Sequence, residues 1–129
     1  MSAVNAPRER WPGSHRLEID RAVLWRAALL QAALVVAAAL ALAAALPESF
    51  FEDWGWLSGP LAWLACAALT ARILRLPVPE AMLGALLAGL PSAIAVMAGI
   101  HWLGVALAVA LFALACAHLA MRPSAMVAR

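Results

Sequence analysis

Apolar positions along this chain come in long unbroken blocks, with neither strand-like alternation nor short amphipathic turns. Four blocks stand out, at roughly 27–46, 57–74, 81–100 and 102–121. Each is close to the ~20 residues an α-helix needs to cross a ~30 Å hydrocarbon core. Ala and Leu dominate, and the ten-residue alternation of a membrane barrel is missing, so the pattern predicts helices. The second block is the weakest, because Arg72 and Arg75 intrude at its end. The expected fold is all-α: one four-transmembrane-helix bundle over residues 14–122, with no soluble domain. Residues 1–13, "MSAVNAPRERWPG", mix Pro, Gly and charge and read as a disordered tail, with 123–129 a second short tail. Residues 14–26 can prolong the first helix.

The polar interruptions carry the rest of the pattern. Residues 48–63, "ESFFEDWGWLSGPLAW", hold three carboxylates, two Phe and three Trp. Ser49 followed by Glu52 has capping-box spacing. Phe50, Phe51, Trp54 and Leu57 then share one helical face. These features predict a short interfacial helix between the first two spans, rings toward the acyl chains and acids toward water. Gly59-Pro60 would redirect the chain into the second span, since Pro is tolerated in a first helical turn. Trp56, Trp63 and Trp102 are expected in the aromatic belt on this side, and Trp11 and Trp25 on the other.

Within the third block, Ala81, Ala85, Ala88, Ser92, Ala95 and Gly99 form a small-residue stripe opposite Leu83, Leu86, Leu90, Ile94 and Met97. The fourth repeats the theme, with Ala106, Ala110, Ala113, Ala117 and Ala120 against Leu103, Leu107, Leu111 and Leu114. Small stripes let helix backbones approach closely in lipid. Only a few residues around His101-Trp102 join these blocks, so they form an antiparallel hairpin, and the two stripes are its expected seam.

Charge then orients the bundle. The chain is 67% hydrophobic with mean hydropathy +0.92, too apolar for a soluble domain of 129 residues. All nine basic residues are Arg. With four spans, every Arg falls on one side: Arg8 to Arg26 before the first, Arg72 and Arg75 between the second and third, Arg122 and Arg129 after the fourth. Glu48, Glu52 and Asp53 fall on the other. Positive residues mark the cytoplasmic face, so both termini are predicted to be cytoplasmic. Ala43 and Ala45 offer an A-x-A cleavage pattern, but the first block outlasts the 7–15 residues of a signal-peptide core, so a retained span is expected. The absence of Lys and Tyr and the single Asn suggest a GC-rich bacterial genome, hence a bacterial inner membrane. The Arg residues flank spans and form no separate basic face, which gives no support to a nucleic-acid partner.

Few positions can carry chemistry. Intramembrane ionisable groups are candidates by default, yet no Asp or Glu lies deep in any block. Gln31 sits about one turn inside the first span, Thr70 near the inner end of the second, and His118 is a possible polar site at the inner end of the fourth. His101 lies on the opposite side from His118, which disfavours a haem shared within the bundle, and no cofactor is expected. Pro91 cannot donate to the carbonyl of Leu87, so Leu87, Gly89, Pro91 and Ser92 define a candidate polar pocket at a kink. Glu48, Glu52, Asp53 and His101 define a candidate outer polar cluster, without the fixed ligand spacing a metal requires. Cys66, mid-span, and Cys116, toward the inner end of its span, are single residues outside any C-x-x-C pattern, expected to be buried side chains. Nothing resembles a nucleophile–base pair, a phosphate loop or a zinc motif.

The expected function is therefore non-enzymatic: an accessory or scaffold subunit in the lipid bilayer, working through helix packing as a homo-oligomer or within a larger membrane complex. The alternative is a small oligomeric transporter or channel using the Pro91-Ser92 kink. Four spans match small multidrug transporters in size, but those place a carboxylate in their first helix, where this chain has only Gln31.

Overall fold

A computed structural model describes residues 20–122. The tails expected at 1–13 and 123–129 lie outside the described residues. Four helices follow in order: α1 Arg21–Ala45, α2 Glu48–Ile73, α3 Val78–Met97 and α4 His101–Ala120. Three of them, α1, α3 and α4, are long and apolar enough to cross a membrane. The short links force successive helices antiparallel. Contacts run α1–α2, α2–α3, α3–α4 and α4–α1, which closes a ring, and the α3–α4 contact is the most extensive.

Local chemistry sets the helix ends. Asp20 caps α1, its carboxylate accepting from the backbone N–H groups of Ala22 at 3.0 Å and Val23 at 3.3 Å. The helix starts six residues before the apolar block, at Arg21, because this cap precedes it. Pro79 sits in the first turn of α3, where its missing N–H costs nothing. Two of the three links are Schellman turns. After α3, Gly99 takes φ +80°, its N–H donating to Val96 while that of Ile100 donates to Ala95. After α2, Arg75 takes the same role at φ 55°, with Arg75 N–H to Arg72 and Leu76 N–H to Ala71. Gly99 thus ends α3, and does not prolong its small stripe as the sequence pattern implied.

The polar segment at 48–58 corrects a second expectation. It forms no separate interfacial helix: Glu48–Ile73 is one continuous helix that passes through Pro60. The N-cap is Pro47, so Ser49 and Glu52 lie inside the first turns and make no capping box. Pro60 lacks only the N–H that would bond the Trp56 carbonyl, a defect the helix bridges without ending.

The interior holds small side chains and the exterior large ones. Ala27, Ala67, Ala71, Ala81, Ala85, Ala88, Ala113 and Ala117 are buried, whereas Leu40, Leu90, Ile94, Met97 and Trp102 are well exposed. Phe112 is the one large hydrophobe fully enclosed among the described residues. Nearly all the buried residues fall between 27 and 31, 66 and 71, 81 and 88, and 104 and 117. The segments on α1, α2 and α3 lie toward the end of the bundle that carries the Arg residues, whereas on α4 burial runs from Gly104, near the acidic end, to Ala117. Toward the acidic end α1 beyond Gln31 and α2 before Cys66 hold no fully buried residue, and Val36, Leu40, Trp56 and Leu61 are exposed.

The α3 stripe is placed as expected, with Ala81, Ala85 and Ala88 buried and Ser92 and Ala95 against α4. The α4 stripe is placed only in part, with Ala113 and Ala117 buried. Ala106, Ala110 and Ala120 are exposed. The seam uses Gly104 and Ala115, whose neighbours on α3 are Ser92 with Ala95 and Gly84 respectively. From Gly84 to Ala95 is eleven residues, and so is Ala115 to Gly104. Eleven residues are close to three helical turns, so the same faces meet at both ends of the seam.

Candidate functional site

Gln31 and Thr70 are the two buried polar side chains of the bundle's described part, both with no exposed surface. Gln31 lies ten residues into α1, ~15 Å along its axis. It shares a face with buried Ala27, one turn earlier. Thr70 sits in the last turns of α2, on the face that buries Cys66, Ala67 and Ala71. The Thr70 hydroxyl donates to Gln31 Oε1 at 2.7 Å, tying α1 to α2 across thirty-nine residues of sequence.

This pair is incomplete. Gln31 Nε2 is buried and has no hydrogen-bond partner. Turning the amide over would present Nε2 to the hydroxyl but leave Oε1 bare, so either orientation keeps one polar end unanswered. A buried unanswered donor costs about 1–3 kcal/mol relative to water, and lipid offers no relief. A glutamine at this place therefore fixes how α1 and α2 register. Any slide or rotation of one against the other leaves a second polar group bare as well.

Beside this pair, the core joins the other two helices. Trp63 on α2 donates its indole N–H to the Ala85 carbonyl of α3 at 3.0 Å. Its ring meets Phe112 of α4 edge-on, centroids 6.0 Å apart and planes at 70°. Trp63 thus leaves the outer aromatic belt to which the sequence pattern assigned it, while Trp56 and Trp102 stay exposed. Face periodicity carries a signal for this, since Trp63, Ala67 and Thr70 recur at i, i+4 and i+7. A like signal marks Phe112, which stands in the row Gly104, Ala108, Phe112, Cys116. A large ring among small neighbours at four-residue steps is the mark of a knob entering a partner helix.

The candidate pocket at the kink is divided between faces. Leu87 and Leu90 are exposed on the outside of α3, and α3 continues through Pro91 to Met97. Gly89 is half-buried, with open space where a side chain would stand. Ser92 turns toward Gly104 of α4, its carbonyl oxygen and hydroxyl among the nearest atoms there. Leu87 and Ser92 therefore do not converge. In the outer cluster, Glu48, Glu52 and Asp53 lie on the first turns of α2 and His101 begins α4, all exposed. Among the described residues no group of His, Cys, Asp and Glu is arranged to hold a metal ion. His118 is exposed in the last turn of α4. Cys66 and Cys116 are free thiols, both buried.

No protein-family model, curated protein or solved structure matches the chain.

Proposed function

We propose that this chain is a four-span protein of a bacterial inner membrane that serves as an accessory or scaffold subunit, acting through the outer faces of its helices. The observation that carries this reading is the inverted distribution of side-chain size. Small residues pack the interior, and Leu, Ile, Met and Trp cover the outside. In lipid, where burying a leucine brings no gain over leaving it among acyl chains, close backbone approach is what holds helices together.

α2 is the least apolar helix, and its length supports a fourth crossing. Its 26 residues span ~39 Å against a ~30 Å core, which leaves its acidic first turns in the headgroup layer. Arg21, Arg26, Arg72, Arg75 and Arg122 gather at one end of the bundle and Glu48, Glu52 and Asp53 at the other. That asymmetry favours a cytoplasmic location for the Arg end, and so for both termini.

A non-enzymatic role is part of this proposal; among the described residues the buried polar side chains are Gln31 and Thr70. The alternative, an oligomeric transporter with a polar pocket at Pro91-Ser92, is less favoured. Phe112 and Trp63 fill the middle of the ring, so a path through one copy would have to displace them. Purification from native membranes in mild detergent tests the proposal. It predicts a homo-oligomer or a larger assembly with stoichiometric companions; a bare monomer would contradict it.

A further inference from the structure

We propose that the groove between α1 and α4 binds one anionic phospholipid, an acyl chain lying in the groove and the phosphate held by Arg21 and His118. The inference rests on the membrane reading above and adds a ligand class to one face of the bundle.

The groove encloses about 300 Å³ and is lined by Leu24, Trp25 and Ala28 of α1 and by Ala110 and Leu114 of α4. Its lining is apolar throughout, which suits a hydrocarbon chain. Its size rules on the occupant. The α1 residues cover only ~6 Å of helix axis, whereas a docking helix is ~10 Å wide and needs a face several turns long. A stretch of one acyl chain fits, the rest of it running on into the bilayer; a docked partner helix does not seat there.

Its inner end is cationic. Arg21 precedes Leu24 by three residues and Trp25 by four, so it stands one turn below them on the same face. His118 follows Leu114 by four residues, one turn further along the same row of α4. Because the two helices are antiparallel, both residues extend the groove in one direction, toward the end where the other Arg residues lie. Both are exposed. Helical side chains lean toward the helix start, which carries the Arg21 guanidinium outward to headgroup depth, where its fork matches phosphate oxygens. An imidazole adds one N–H donor even when neutral. The other described charges at this end are Arg26, Arg72, Arg75 and Arg122, against Glu80 in the first turn of α3 and Asp20, whose carboxylate is already engaged by the first N–H groups of α1. The balance at the mouth is positive, and basic sites between helices at this depth select anionic headgroups.

Tryptophan quenching tests the site, because Trp25 is part of the lining. The full chain is reconstituted in phosphatidylcholine bilayers containing a minority of brominated lipid, either phosphatidylglycerol or phosphatidylcholine. The difference between the parent chain and Trp25→Phe isolates the contribution of Trp25. Brominated phosphatidylglycerol is expected to reach Trp25 with roughly fivefold higher apparent affinity, the equivalent of the ~1 kcal/mol one cationic residue contributes at an anionic surface. Arg21→Gln combined with His118→Gln removes that preference while helix content and melting stay unchanged. Equal quenching by both lipids, or a preference that survives in the double variant, overturns the site and leaves the membrane placement standing. Quenching of other tryptophans but not of Trp25 also overturns it, since the groove is then covered by a second copy or by residues 1–19. No quenching of any tryptophan by either lipid overturns the membrane reading itself.

Discussion

The two hairpins of the bundle are held in opposite ways. In α3–α4 the seam is made of small residues in constant register, Gly84 at Ala115 and Gly104 at Ser92 and Ala95, with no side-chain hydrogen bond between the two helices. In α1–α2 the contact is thinner, and one buried hydrogen bond joins Gln31 to Thr70. The difference shows two solutions to helix association where burial in lipid brings no hydrophobic gain. A row of small residues gives many weak dispersion contacts that all depend on close approach. A single polar pair gives one directional contact that specifies a register and leaves the rest of the interface free to open. In the acidic half of α1 and α2 no residue is fully buried.

Substitutions separate the two solutions. The largest effect is expected where the hairpins meet. Phe112→Ala removes the ring that α4 places against Trp63, and unfolding in mixed detergent micelles should show a loss of about 3 kcal/mol. That is the low end of the range for a buried aromatic, because lipid is itself apolar. Retention of full stability would mean that the ring does not hold the hairpins together.

Next comes the α3–α4 seam. A Cβ on Gly104 would stand 3.0 Å from the Ser92 carbonyl oxygen and 3.1 Å from the Ala95 Cβ. Gly104→Val should cost about 1–3 kcal/mol by overpacking. Gly89→Ala is the matched control. Open space surrounds Gly89, so the helix propensity of Ala should leave stability unchanged or raise it by up to ~1 kcal/mol. Equal losses at both glycines would show that backbone preference, and not the seam, sets the response.

The smallest effect belongs to the polar pair. A double-mutant cycle of Gln31→Met and Thr70→Val should return a coupling near ~0.6 kcal/mol and no more than ~1.7. Thr70→Val alone should destabilise more than the double variant, because it leaves the whole Gln31 amide bare where the double variant leaves no polar group. If the double variant is the less stable, the amide is answered by a group other than Thr70.

Much of this architecture was legible in the sequence, and the misses share a cause. Apolar block length set the four helices to within a few residues at most ends, and the α3 stripe fell on the buried face. Period alone could not place the α4 face, because Ala is so frequent there that several stripes compete; Gly104 and Phe112 decide among them only once α3 is in position. The predicted break at Gly59-Pro60 failed because a proline removes one hydrogen bond without forcing the chain to turn. Gln31 and Thr70 were visible as polar residues toward the inner ends of their blocks, but their pairing depends on which faces α1 and α2 turn to each other. The kink residues Leu87 and Ser92 lie five apart, too far round the helix to share a pocket, a geometric limit that the freed carbonyl does not lift.

The claim on which the rest depends is that α2 crosses the membrane with its Arg end inside. With Cys66→Ala and Cys116→Ala as background, Asp53→Cys and Arg75→Cys place single thiols at its two ends. A membrane-impermeant maleimide applied from the periplasmic side should label the Asp53→Cys variant in intact cells and the Arg75→Cys variant only after permeabilisation. Labelling of both variants in intact cells, or of neither until permeabilisation, would put the two ends of α2 on one side and contradict the four-span bundle.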